Sequence, residues 1–284
     1  MLRIRRMRIE DVPFAVRLSE QEHWGVTRND LQRLLRLTPA GCFIAYEGAK
    51  KLGLTTTTIY GRKLAWIGNV IVDWEYRGMH IGRNLVDHAV TFLQKSRIQN
   101  IALYCFKENL DFYENLGFVK DAPFLRMRRK TKSRAAGVNW RVFDHAPSLQ
   151  ALLLGDKRAF GADRSRLVRD MLATRAGWYV GSARKKISLS YLMIREYRDM
   201  CELGPWVCLN PPRSEPERMI NLALSEVGEL PTEVSCLQRN KDAIRLMEAK
   251  GFRTLREGYR MFFRDRARIG NDKAQYALGF LDKG

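Results

Sequence analysis

The stretch EYRGMHIG, residues 75–82, places two glycines and an arginine between the apolar run NVIV and the helical pattern of residues 81–93. A glycine-bearing turn that feeds a helix presents backbone N–H groups with no intrahelical partner, at the positive end of the helix dipole. Residues 77–83 therefore form a candidate cradle for an anion, and phosphate is the commonest occupant of such a turn. Arg77 and Arg83 add cationic side chains. Gly78 and Gly82 leave the backbone bare, with Met79, His80 and Ile81 between them. A strand-to-helix turn can also carry glycine merely to turn, so the surrounding elements have to decide.

The first half of the chain reads helix, helix, three strands, the glycine turn, helix, strand, helix, strand. Residues 9–21 and 27–37 carry apolar side chains at helical spacing, with Asp11 as an N-cap before the first and TPAG ending the second. CFIAYEG, KLGLTTTTIYG and KLAWIGNVIV alternate or run apolar with glycine punctuation, as a strand meander does. A buried strand NIALYCF, a helix over 110–116 and a last strand near 124–128 follow.

The chain also repeats itself. FYENLGFVKDAPFLRM (residues 112–127) and LMEAKGFRTLREGYRM (residues 246–261) align without a gap, matching Glu114, Gly117, Phe118, Arg126 and Met127 with Glu248, Gly251, Phe252, Arg260 and Met261. GCFIA at residue 41 and GWYVG at residue 177 echo each other in the same order. Two domains of one fold are expected, 1–134 and 135–284.

Composition bounds the class. At 284 residues, 45% hydrophobic and 29% charged, the chain can bury a core and is not of disordered type. No apolar run approaches the roughly 20 residues of a membrane span, and the basic N-terminal stretch lacks a signal-peptide core, so the cytoplasm is expected and a membrane partner is not. Five cysteines without a C-x-x-C pair read as free thiols, and four histidines offer no metal-ligand spacing. No metal is expected. The net charge of +19 is spread over both halves, with no nucleic-acid-binding motif. The densest run, LRMRRKTKSR from residue 125, is read as a solvated linker rather than a nucleic-acid patch.

With these residues in view, the chain resembles the GCN5-related N-acetyltransferases. RGMHIG matches their acyl-CoA signature Q/R-x-x-G-x-G/A at Arg77 and Gly82, with His80 in place of the middle glycine. YENLGF (residues 113–118) matches their Y-x-x-x-G-F. More narrowly, it looks like the two-domain prokaryotic members with a degenerate second domain. The resemblance implies tandem acyl-CoA N-acyltransferase folds, α/β of the α+β kind, each a mixed sheet flanked by helices.

It further implies an acetyltransferase that takes acetyl-CoA as cosubstrate and a small-molecule or peptide amine as acceptor. Residues 77–83 would hold the pyrophosphate, the edge Val70, Ile71 and Val72 would pair with the pantetheine arm, and Phe112 would lie beside it. A backbone N–H of that edge would polarise the thioester carbonyl. Tyr113 would protonate the leaving thiolate. His80 would be tolerated with a negative φ, either reaching a phosphate or standing as a plain loop histidine. Relatives place asparagine where Phe106 stands, and Asn109 is the nearby substitute.

The second half keeps that asparagine (Asn240) but has Met247 for the tyrosine and LNPPRSEPE for the glycine turn. Proline removes the N–H an anion needs, so this half is expected to shape the acceptor pocket or simply support the first. Trp24 and Trp66 are candidates for the acceptor wall, as are alternate hydroxyls of Thr55 to Thr58. Glu22, His23, Asp73, Glu75 and Glu47 are open as the base. Cys105 is read as a buried hydrophobe rather than a nucleophile. A monomer with pseudo-symmetric halves or a homodimer is expected. A CoA-binding module without turnover and a basic nucleic-acid binder stand as alternatives.

Overall fold

The computed structural model describes residues 1–130, 149–173, 178–182, 189–197 and 200–284. The expected junction at 134–135 lies outside them. The first half comprises β1 (Arg3–Arg6), α1 (Val12–Gln21), α2 (Arg28–Leu37), β2 (Cys42–Glu47), β3 (Lys50–Tyr60), β4 (Leu64–Val72), α3 (Ile81–Lys95), β5 (Asn100–Phe106), α4 (Leu110–Glu114) and β6 (Phe118–Arg129). The second comprises α5 (Leu149–Phe160), α6 (Ser165–Ala173), β7 (Trp178–Ser182), β8 (Leu189–Tyr197), β9 (Met200–Leu209), α7 (Glu215–Val227), β10 (Thr232–Leu237), α8 (Lys241–Ala249), β11 (Arg253–Phe263) and β12 (Gln275–Ala277). From α1 to β6 and from α5 to β11 the order of helices and strands is the same. Gly117 and Gly251, paired in the sequence repeat, both sit at φ 85°.

Local chemistry sets the element ends. The Thr27 hydroxyl accepts from the Asp30 N–H (3.2 Å), and the Asp30 carboxylate accepts from the Thr27 N–H (3.0 Å), a reciprocal cap that starts α2. Helix α3 buries Ile81, Leu85, Val86, Ala89, Val90 and Leu93 on one face against the sheet.

All strands belong to one mixed sheet in the order β1-β2-β3-β4-β5-β11-β6-β10-β9-β8-β7, with β12 on β9. The equivalent strands β6 and β11 of the two halves are thus exchanged: β11 lies between β5 and β6, and β6 lies between β11 and β10. The antiparallel β6–β11 ladder runs over ten residue pairs from Phe118↔Phe263 to Arg128↔Arg253. A further core is shared between the halves, with Tyr60 and Trp66 packed with Phe160, Leu167 and Tyr191.

The exchanged strands carry the repeat's two arginines indoors. Arg126 is 9% exposed and pairs with Glu233 (2.7 Å) and Glu202, donating also to the Ser235 hydroxyl (3.1 Å). Arg260 is 3% exposed and pairs with Asp121 (2.6 Å) and, through two parallel bonds of 2.9 Å, with Asp272. The basic run read as a solvated linker is therefore, over residues 125–129, a strand inside the sheet, covered on both faces so that Arg126 and its neighbour Met127 are both buried. Residues 131–134 of that run lie outside the described residues.

Removing one partner of a buried ion pair costs about 3–5 kcal/mol; Arg239, which also donates to Asp121 (3.1 Å) and Asp272 (3.0 Å) but is half exposed, compensates only part of that loss. Arg260→Ala is expected to lower unfolding stability by that amount in urea denaturation. A loss under about 1 kcal/mol would show that the pair does not hold the exchange.

Candidate functional site

Strand β4 pairs in parallel with β5 at only three positions, Leu64↔Asn100, Ala65↔Ile101 and Trp66↔Ala102. Beyond them β4 bulges against β3: Leu54 faces Ile71 but Thr56 faces Gly68, so β4 carries one extra residue. Asn69 sits in that bulge at φ 48°. The two strands separate, and a cavity of about 840 Å³ opens between them. Val70, Ile71 and Val72 line one wall; Cys105, Phe106, Asn109, Phe112 and Tyr113 line the other.

The mouth of the cavity is the start of α3. Gly78 and His80 both take left-handed backbone, at φ 79° and 58°. No side chain caps the helix, and its first internal bond runs from the Asn84 N–H to the His80 carbonyl (3.1 Å). The N–H groups of Ile81, Gly82 and Arg83 are left without intrahelical acceptors. A Cβ on Gly82 would make ordinary contacts at 3.5 Å with Phe112 and 3.6 Å with Val72, so packing alone does not require glycine there. The bare backbone instead leaves room beside three N–H groups, which suits a phosphate.

Three details of this loop differ from expectation. His80 does not keep a negative φ; its left-handed backbone costs roughly 1 kcal/mol. The Arg77 guanidinium is turned away to Glu22 and to the Val72 carbonyl (3.2 Å). Met79 is 62% exposed and does not line the cavity, whereas Arg77, Gly78, His80, Ile81, Gly82 and Arg83 do.

The Tyr113 ring packs edge-on between Phe112 and Phe118. Burial, followed by the neighbouring Cys105, raises its phenol well above the usual tyrosine range, so it stays protonated. The Cys105 thiol is pushed up to about 12 by burial and lies 3.3 Å from the Met261 sulfur, which disfavours a nucleophilic role.

At its inner end the cavity is walled by β6 and by the second half. Arg126 and Arg128 of β6, Arg195 of β8, Glu202 of β9 and Glu233 of β10 line it, as do residues 280–283. The charges are paired. Arg195 donates to Glu202 (2.8 Å) and Asp30 (3.2 Å), and Arg128 donates to Glu233 (2.6 Å). Burial works to raise the Glu202 carboxyl, but the guanidiniums of Arg126 and Arg195 hold it below the usual carboxylate range. None of these residues was singled out for a site in the sequence; the matched pair Arg126/Arg260 was the signal that pointed to them.

Trp24 lines the cavity, with Glu22 and His23 beside it. Trp66 does not: it is wholly buried in the shared core, with its indole N–H on the Leu281 carbonyl (3.3 Å). The hydroxyls of Thr55 and Thr56 donate to the Gly68 carbonyl (3.2 Å each) instead of facing the cavity. Asp73 pairs with Arg17 (3.2 Å).

Residues 5–118 match the model of the Acetyltransferase (GNAT) family, and residues 153–277 match that of an Acetyltransferase (GNAT) domain, more than four fifths of the chain between them. The chain belongs to the GNAT superfamily. It is 30% identical over 172 residues to the uncharacterized N-acetyltransferase YitH of Bacillus subtilis, 58% of each chain. The matched stretches cover 28–60% of the lengths of such curated relatives. A putative acetyltransferase from Pyrococcus horikoshii superposes with a TM-score of 0.80 at 21% identity, over 100% of this chain and 96% of that one. A tandem GNAT protein from the clavulanic acid biosynthesis pathway superposes with a TM-score of 0.65 at 13% identity, over 94% and 100%. At these identities the likeness is one of fold.

The two GNAT units of this chain treat the same cleft differently. In the second, β10 pairs with β9 only over residues 201–203, so these strands part as β4 and β5 do. Here β12 fills the gap. Gln275 and Ala277 pair with Val207 and Trp206 of β9, and the Leu278 N–H donates to the Ser235 carbonyl of β10 (2.8 Å). Asn240, the asparagine of the family pattern, donates to the carbonyls of Lys273 and Gln275 (3.0 Å each) and so grips this strand. The start of α7 carries Glu215 and Glu217 with proline in the first turn, which repels an anion where α3 invites one.

A glycine at position 80 relieves the left-handed strain without removing any hydrogen bond that the imidazole makes. His80→Gly is expected to raise unfolding stability by about 1 kcal/mol, read as a higher thermal midpoint. An unchanged or lower midpoint would show that the loop tolerates the histidine at no cost.

Proposed function

We propose that the chain is an N-acetyltransferase that uses acetyl-CoA to acetylate a small-molecule or peptide amine, in the cavity between β4 and β5. The observation that carries this reading is an uncapped α3 N-terminus at the mouth of the opened strand pair, with the protonated Tyr113 phenol inside.

The residues fit the cosubstrate at three points. The N–H groups at the start of α3, beside the bare Gly82, take the pyrophosphate, with Arg83 adding charge. The edge Val70, Ile71 and Val72 lacks a strand partner on its β5 side and suits an amide-bearing arm such as pantetheine. Phe112 and Asn109 flank that arm. The cosubstrate supplies the acetyl thioester. A backbone N–H of the β4 edge stabilises charge on its carbonyl oxygen, and Tyr113 returns a proton to the departing sulfur. Because β12 fills the second cleft, one acetyl-CoA binds per chain. The exchange of β6 and β11 within one chain supports a monomer.

Calorimetric titration of acetyl-CoA is expected to give one site per chain. Gly82→Glu should abolish the binding while leaving the thermal midpoint within a few degrees. Two sites, or binding indifferent to Gly82, would remove the loop from the reading. With an acceptor found by an amine screen, Tyr113→Phe should lower kcat by about 10²–10⁴ and leave acetyl-CoA affinity unchanged. Since the phenol is raised above its usual value of about 10, the wild-type rate should show no alkaline decline from this group below about pH 10. Acetyl-CoA binding without thiol release in the presence of any amine would leave a binding module instead of an enzyme.

A further inference from the structure

Resting on the transferase reading, we propose that Asp282 is the base that takes the proton of the acceptor's ammonium group, supplied to the first unit's cavity by the second half of the chain. Residues 280–283 reach across from the second cleft, where β12 has just filled the gap, and line the inner end of the first. Asp282 lies directly on the β4 bulge. A Cβ on Gly68 would stand 2.2 Å from the Asp282 carbonyl oxygen, so only glycine admits the segment here.

The segment is clamped. Leu281, Lys283 and Gly284 each give a carbonyl oxygen to a buried donor, respectively the Trp66 indole, the Tyr60 hydroxyl and the Arg164 guanidinium. The Asn69 amide donates to one oxygen of the Asp282 carboxylate (3.0 Å), and the Lys283 ammonium donates to both (2.8 and 2.7 Å). The other cavity acids are tied to guanidiniums, which stay charged, Glu22 to Arg77, Glu202 to Arg126 and Arg195, and Glu233 to Arg126 and Arg128, whereas the ion-pair partner of Asp282 is an ammonium, Lys283.

Distance along the strand favours Asp282 as well. Gly68 stands two residues before Val70, where the edge proposed for the pantetheine arm begins, and the bulge at Asn69 keeps their separation below about 7 Å. A carboxylate beside Gly68 and Asn69 is thus close to the end of that edge, on the side from which an acceptor amine would approach. In the step, R–NH3⁺ gives one proton to the Asp282 carboxylate. The neutral amine's lone pair then forms the C–N bond as the C–S bond breaks. The sulfur takes the Tyr113 proton, the second proton on nitrogen restores the phenol, and the first leaves Asp282 for water.

The test compares two probe amines with acetyl-CoA: n-butylamine, a cation at neutral pH, and hydroxylamine, which is largely neutral there. Asp282→Asn is expected to lower butylamine acetylation by about 10²-fold or more while changing hydroxylamine acetylation by less than about threefold. In this variant the butylamine rate should climb tenfold per pH unit, following the free-amine fraction. Asp282→Glu should recover part of the loss, and acetyl-CoA titration should match the wild type. Equal losses with both amines, or no loss with either, would overturn the role of Asp282. A wild-type protein that binds acetyl-CoA and acetylates neither amine would overturn the transferase reading, and this role with it.

Discussion

The exchange of β6 and β11 is the constraint on which the rest of the structure depends. Each half contributes one strand, β6 or β11, to the sheet of the other, so neither is complete on its own. Arg126 and Arg260 sit on these strands at equivalent positions of the repeat, both buried among carboxylates. A buried guanidinium is tolerated only when its donors are met, which confines β6 and β11 to a register where they are. That register also brings Arg126, Arg128, Glu202 and Glu233 to the inner end of the first unit's cavity.

The cavity itself follows from one extra residue. The bulge at Asn69 turns β4 from β5 after three paired positions, and the same parting occurs between β9 and β10. Two open edges in one molecule are two places where backbone groups must find partners. In the second unit the chain satisfies them with β12, gripped by Asn240. In the first the edge remains accessible from the cavity, beside an uncapped helix. The difference between a binding cleft and a structural joint is therefore whether the polypeptide itself occupies the gap.

Charge is managed locally rather than globally. A net charge of +19 does not translate into a free cationic patch in the cavity, where arginines and carboxylates alternate in paired contacts. Burial does the complementary work on neutral groups. It keeps the Tyr113 phenol and the Cys105 thiol protonated, which suits a proton donor and disarms a nucleophile.

The helices, the meander, the glycine turn and the tandem repeat were legible in the sequence, because each depends on residues close together along the chain. Hydrophobic period, Thr27 with Asp30, and the glycines at 78 and 82 act within one turn or one strand. The family pattern around Arg77 and Tyr113 was readable for the same reason. What the sequence could not decide were relations between distant segments. Trp66 and the threonines of β3 look like cavity residues until the sheet's twist and the shared core turn them inward. His80 had to be seen at φ 58° to be recognised as strained. The exchange of strands, the filling of the second cleft by β12 and the arrival of Asp282 at β4 join residues some 40 to 215 positions apart, as Cys236 to Tyr276 and Asn69 to Asp282 do. Such contacts form because buried backbone groups and apolar faces must be covered by whatever the fold brings near, and only the tertiary structure says what that is.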